Sequence, residues 1–284
     1  MSDWTTIIDD VKEHVTLLKE LGVRSVEFPP GFLAAWDKAV SNPTPPPVAV
    51  TRPAPTPPKK FTLPAVPAEV GQPAAARPEE RRKALADIAE RVKVCAGCPL
   101  HAAGRTNVVP GQGNPDSPDV MFIGEAPGEE EDKQGLAFVG AAGQFLTKMI
   151  EAMGYTREQV FIANICKCRP PRNRAPEEEE MKKCLPFLRE QISVIRPKVI
   201  VLLGGTAIKG ILNSQTGVTR IQGVWTAYEG IPVMPTYHPS YVIRFEKSGD
   251  AAGMKVVKLQ VWNALKQVLA RLGKPVPQPN KKSE

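Results

Sequence analysis

The sequence predicts a three-layer α/β/α sandwich on a mostly parallel central sheet, and three observations carry that expectation. Short apolar runs at 120–123, 160–165, 199–203 and 231–234 read as buried strands. Segments with helical spacing alternate with them, as expected for parallel strands covered on both faces. Residues able to do chemistry follow the strands directly, where an open α/β sheet forms its ligand crevice.

Taken in order, helical spacing through Leu85, Ile88, Ala89 and Val92 defines a helix at 79–94 that runs into Cys95-Ala-Gly-Cys98. The turn-forming Asp116-Ser-Pro118 feeds the first strand, which ends in Gly124-Glu-Ala-Pro-Gly128. Gly124 and Gly128 bracket Ala126-Pro127 and suit a tight loop with Glu125 at its mouth. Glu129 and Glu130 behind it read as a solvated acidic surface. Residues 144–153 form a helix stopped by Gly154, and 176–194 a helix whose first-turn acids suit its dipole. Gly204-Gly205 end the third strand before a short helix at 206–212. The fourth strand enters Pro235-Thr-Tyr-His-Pro-Ser240, and an amphipathic helix at 256–272 closes the domain.

The chain has 284 residues, 42% of them hydrophobic, enough for a substantial core, while its 30 prolines point to a non-globular part. Residues 1–40 read as a helical extension, too small for a robust core of its own and a candidate hook for a protein partner. Residues 41–78 form a Pro/Ala-rich linker favouring extended polyproline II. The main α/β domain is expected over 79–273, followed by a basic tail at 274–284. No apolar run reaches the ~20 residues of a membrane helix, and the N-terminus is acidic where a signal peptide is basic. A cytoplasmic, nucleoid-associated monomer is expected. Residues 1–40 hold four Lys/Arg against seven Asp/Glu, whereas 81–284 hold 29 against 20. The later part is the basic one, which favours a polyanionic partner.

Five cysteines in a reducing compartment argue against a disulfide framework and for metal ligation. Cys95 and Cys98 are a C-x2-C pair, and Cys168 and Cys184 come from distant segments. Four such thiolates suit either a 4Fe-4S cluster or a zinc ion. The second half does not repeat C-x2-C, which tilts the choice towards iron and sulfur. Cys166 reads as a buried free thiol beside the site.

Cys-x2-Cys, Gly-Glu-Ala-Pro-Gly, Phe-Val-Gly, Asn164-x3-Cys-Arg-Pro-Pro-x-Asn-Arg, a further Cys and Thr-Tyr-His-Pro-Ser stand in one order across residues 80 to 272. In this the chain resembles the family 4, iron-sulfur uracil-DNA glycosylases. The resemblance implies a uracil-DNA glycosylase-like fold and an enzyme of base excision repair. It would act on single- or double-stranded uracil-containing DNA, hydrolysing the N-glycosidic bond to release uracil and leave an abasic site. It further implies a 4Fe-4S cluster on Cys95, Cys98, Cys168 and Cys184, and a base pocket that includes Gly124.

Within that resemblance, Phe138 on an exposed loop is expected to stack on the flipped base. The Asn164 amide matches uracil O4 and N3–H, and cytosine offers the opposite pattern. Glu131, by motif position, is expected to exclude thymine's methyl group. His238 stabilises the charge gathering on uracil O2, and Glu125 orients water or steadies the cationic sugar. Lys167, Arg169, Arg172, Arg174 and Arg244 are expected to meet phosphates, while Pro239, Ser240 and Tyr241 wedge into the base stack. A related group bonds covalently to DNA through a histidine in a Lys/Arg-rich insert. Arg172-Asn-Arg-Ala-Pro176 lacks both, so hydrolytic turnover is expected. A non-catalytic iron-sulfur module binding nucleic acid is the competing reading, and a zinc-stabilised adaptor is a third.

Overall fold

The computed structural model describes residues 77–277. Eight α-helices and six strands are present there. They are α1 (Pro78–Lys93), β1 (Gln112–Gly113), β2 (Val120–Gly124), α2 (Glu129–Gln134), α3 (Ala141–Ala152), β3 (Phe161–Asn164) and α4 (Glu178–Ile195). There follow β4 (Val199–Leu203), α5 (Gly204–Leu212), α6 (Val218–Ile221), β5 (Thr226–Tyr228), β6 (Ile231–Thr236), α7 (Pro239–Ser248) and α8 (Ala251–Arg271). The helix expected within 1–40, and the linker as far as residue 76, lie outside the described residues.

The sheet order is β1-β3-β2-β4-β6-β5. The four inner strands are parallel, and the two short outer strands pair antiparallel. Every residue of β2, β3, β4 and β6 is buried, which explains their uninterrupted apolar runs. Alternate side chains sort into two cores. Val120, Phe122, Val199, Val201 and Met234 pack with α3, α7 and α8. Met121, Ile123, Ile200, Leu202 and Val233 pack with α4 and α5. This is the expected three-layer sandwich, with two edge strands and the helices α2, α6 and α7 added to the elements read from the sequence.

The additions are short or begin unusually. Strand β1 has two residues and β5 three, so neither supports a periodicity. Helix α7 starts on Pro239, with His238 as its N-cap, a position proline tolerates because it lacks only an orphan N–H. The acidic run expected to be a surface loop is helix α2. Glu129 and Glu130 are exposed and pair with Lys133 at 2.9 and 3.0 Å, as a solvated face should. Glu131 and Asp132 turn inward and are buried. The basic tail begins tethered, since Lys274 Nζ lies 3.4 Å from Asp119.

Gly143 on α3 shows how tightly this packing constrains the loop before it. A β-carbon there would collide with the main-chain carbonyl of Phe138. The obstacle is backbone, which cannot rotate aside. Gly143→Ala is therefore expected to destabilise the fold by about 1–3 kcal/mol, read as a thermal midpoint lowered by several degrees in a circular dichroism melt.

Candidate active site and cysteine cavity

Parallel register aligns the strand ends that carry the site. Gly124 stands opposite Asn164, and Leu203 opposite Thr236, so Glu125, Asn164, Thr206 and His238 emerge at one edge of the sheet. A cavity of about 430 Å³ opens there, lined by Glu125, Glu131, Phe138, Asn164, His238 and Ser240 among others. Gly124 lies beneath it for a reason unlike the turn freedom inferred from sequence. A β-carbon at Gly124 would strike both the Phe138 ring and Asn164 Oδ1. Its glycine is required by close approach.

Phe138 is 5% exposed and belongs to the core, correcting the expectation of an exposed loop. Its ring still forms cavity wall, 5.8 Å from the His238 ring between centroids. The residue sits at φ 53°, a left-handed conformation that costs a bulky side chain ~1–3 kcal/mol. Glu131 supports it. One carboxylate oxygen accepts from Val139 and Gly140 N–H at 2.8 Å each, and the other from Gly128 N–H at 3.1 Å. Glu131 thus clamps the loop from within the cavity wall. Asp132 acts in the opposite direction, accepting from Thr106 and Asn107 N–H at 3.0–3.2 Å.

Asn164 is 2% exposed, and its Oδ1 has no hydrogen-bond partner within the protein. A buried acceptor left unpaired costs about 1–3 kcal/mol. The Thr206 hydroxyl donates to Glu125 Oε2. Sequence reading passed over Thr206, although it lies in the first turn of α5 at the same sheet edge as Glu125 and was legible on that ground.

His238 Nδ1 accepts from Ser240 N–H at 3.2 Å and lies 2.7 Å from the Ser240 hydroxyl. A nitrogen that accepts carries no proton, so the ring proton of the neutral form sits on Nε2. Desolvation, followed by the Arg244 charge, pushes the His238 pKa down to about 4. Ser240, expected to reach DNA, here orients the histidine. Pro239 is buried, which removes it from the expected wedge, while half-buried Tyr241 stacks on Tyr237 at 5.1 Å between centroids.

The basic cluster divides. Lys167 is 1% exposed, which removes it from the set of candidate phosphate contacts. Arg174 makes a two-pronged pair with buried Glu180 at 2.6 and 2.8 Å. Arg169 donates to Asn173 at 2.7 Å and lies 3.3 Å from Glu129. Arg172 is exposed, and exposed Arg244 lies over the Tyr241 ring at 5.6 Å.

Cys95, Cys98, Cys168 and Cys184 line a second, small cavity together with Lys167. Cys166 is not in its wall. It is fully buried behind the site, hydrogen-bonded to Cys184. That bond holds the Cys184 thiol below its usual range, aided by the Lys167 charge, whereas burial pushes Cys168 up to about 11 against the pull of Arg105. Arg105 Nη1 donates to Cys168 Sγ at 2.7 Å. It is the lone Lys or Arg between Lys93 and Lys133, a signal that sequence reading passed over. Among the described residues, no three His, Cys, Asp or Glu side chains are drawn in to metal-ligand spacing.

The His238 geometry sets a sign for pH. Its folded pKa lies below the ordinary 6.5, so its contribution to stability is complete above pH 6.5 and fades as pH falls towards 4. ¹⁵N NMR of the imidazole ring is expected to show His238 still neutral at pH 5.

Residues 110–266 match the uracil-DNA glycosylase superfamily. The type-4 uracil-DNA glycosylase of Thermotoga maritima is 47% identical over 168 residues, covering 58% of this chain and 85% of that protein. That of Sulfurisphaera tokodaii is 50% identical over 165 residues, covering 55% and 74%. The Archaeoglobus fulgidus protein is 40% identical over 192 residues, covering 61% and 96%. With Glu125, Phe138, Asn164 and His238 around one cavity at the ends of four parallel strands, the chain belongs to the uracil-DNA glycosylase superfamily and to its type-4 family.

Proposed function

We propose that the protein is a DNA-repair hydrolase that cleaves the N-glycosidic bond of deoxyuridine in DNA. The observation that carries this reading is the unpaired, buried Asn164 Oδ1 at the base of the cavity. Uracil N3–H satisfies that oxygen and uracil O4 accepts from the same amide. Cytosine leaves both groups unpaired, a loss of ~1–3 kcal/mol each. Reaching this amide requires the nucleotide to leave the duplex stack. The Phe138 face replaces part of the stacking lost, worth ~1–3 kcal/mol for a base on an aromatic ring. Glu131 forms a wall whose carboxylate is bonded to three backbone N–H groups. Such a wall cannot give way to a 5-methyl group.

As the C1′–N1 bond breaks, the electron pair leaves with uracil and charge gathers on O2. Neutral His238 donates Nε2–H to that oxygen, an interaction stronger in the transition state than in the ground state. Glu125, steadied by Thr206, faces the cationic sugar and the water that adds to C1′, and accepts the water's proton. Exposed Arg172 and Arg244 grip phosphates, with Arg169 and Arg174 released from their acidic partners as DNA arrives.

The four cysteines that line one cavity support a 4Fe-4S cluster as their occupant. Their all-sulfur donor set and the cations Arg105 and Lys167 suit a negatively charged thiolate cluster. Held by Cys95, Cys98, Cys168 and Cys184, such a cluster would supply rigidity to the segments that carry them. Zinc is the competing occupant, favoured by the same donor set.

Incubation with a uracil-containing oligonucleotide followed by alkali is expected to cut the strand at the uracil. An intact strand removes the proposal. Asn164→Ala is expected to lower kcat/KM by roughly 5- to 150-fold, and Glu125→Gln to abolish most turnover while uracil binding persists. Visible charge-transfer absorbance lost in Cys168→Ala identifies iron and sulfur, and a colourless protein containing zinc identifies the alternative.

A further inference from the structure

The Lys167 side chain lies between the two cavities and is used by neither the reaction nor the DNA grip described above. Its ammonium is buried, donating to the Asn164 carbonyl oxygen at 3.0 Å and to Gln191 Oε1 at 2.7 Å. Its backbone N–H donates to Cys184 Sγ at 3.2 Å, and the residue forms part of the cysteine cavity wall. Gln191 is held in turn, donating to the Pro110 carbonyl oxygen at 2.8 Å. Among the described residues, no carboxylate forms an ion pair with Lys167.

Burying an ammonium costs several kcal/mol unless its hydrogen bonds and charge are answered. For stability alone, an apolar side chain of similar length is the cheaper occupant. The Asn164 carbonyl is what the ammonium satisfies. β1 pairs only with Phe161 and Ile162, so the sheet ladder supplies no donor on that side of Asn164. On the other side, Ile165 and Cys166 N–H donate to Gly124 and Glu125 carbonyls at 3.0 Å. The base-reading residue is therefore tied to the sheet on one side and to a lysine beside the cysteine cavity on the other.

We propose that Lys167 is a positioning residue that sets the Asn164 amide against the base and links its position to the cysteine cavity. The inference rests on the reading of Asn164 as the uracil-recognising group. Carbonyl and side chain share one α-carbon, so a carbonyl free to swing carries the amide away from N3–H and O4.

The test compares Lys167→Met, which keeps length and removes both bonds, with the native protein in two equilibrium titrations. One uses free uracil, which needs Asn164. The other uses an abasic-site oligonucleotide, which presents phosphates and no base. Iron content and melting temperature are measured alongside. The expected result is uracil affinity lowered ~10-fold with abasic-site affinity unchanged. Unchanged uracil affinity overturns the proposal, and so does an equal loss for both ligands, which marks a general structural role. If Lys167→Met does not fold, Gln191→Met takes its place. It strips the ammonium of its second acceptor, and the expected result is a smaller loss confined to uracil; no loss overturns the proposal. A native protein that cleaves the uracil oligonucleotide while Lys167→Met binds uracil normally overturns this inference alone. A native protein that neither cleaves nor binds uracil overturns both.

Discussion

Parallel pairing of β2 with β3 sets Gly124 directly opposite Asn164, and the wall of the cavity at this sheet edge packs as it does because nothing larger than hydrogen stands at Gly124. The Phe138 ring and the Asn164 amide both occupy the space a β-carbon would fill. Close packing inside a protein leaves no slack for such an intrusion. The Phe138 ring and the Asn164 amide are thus held at a separation that the sheet sets.

Around that contact lies a set of buried polar groups whose partners are mostly backbone. Glu131 holds the Phe138 loop, and Asp132, its neighbour on α2, holds residues 106 and 107. Arg105, next in line, reaches Cys168. Lys167 provides a second connection, from the cysteine cavity to Asn164. Fully satisfied buried networks rigidify what they join and tolerate single deletions poorly. The distance between the cysteine cavity and the cavity lined by Asn164 is spanned by side chains already in their bonded positions.

Charge is distributed with the same economy. His238 is kept neutral by desolvation and by Arg244, which makes it a donor able to face a developing anion without first losing a proton to solvent. Glu125 accepts from the Thr206 hydroxyl, and no cation is paired with it among the described residues. Arg174 and Arg169 are partnered by acidic residues, so any polyanion that met them would have to displace those anionic partners.

The four inner strands and the long helices between them were legible because parallel strands buried on both faces must be continuously apolar, whereas the two short edge strands and helices α2, α6 and α7 were not. Glu125, Asn164 and His238 were legible because they stand at or just beyond the ends of inner strands, as were the four cysteines by type and spacing. What the chain alone did not disclose depends on contacts between distant segments. Phe138 looked exposed because two glycines flank it, yet packing beneath Gly143 buries it. Four adjacent acids, Glu129 to Asp132, look alike in sequence, but helical rotation sends two to solvent and two inward. Lys167 read as one more cation beside Arg169, until tertiary folding turned it towards a carbonyl and a glutamine. Sequence determines which residues lie on strands and at their ends, since that is local periodicity. Burial and partnership are decided only when helices and loops close over the sheet, since a side chain's surroundings belong to the whole fold.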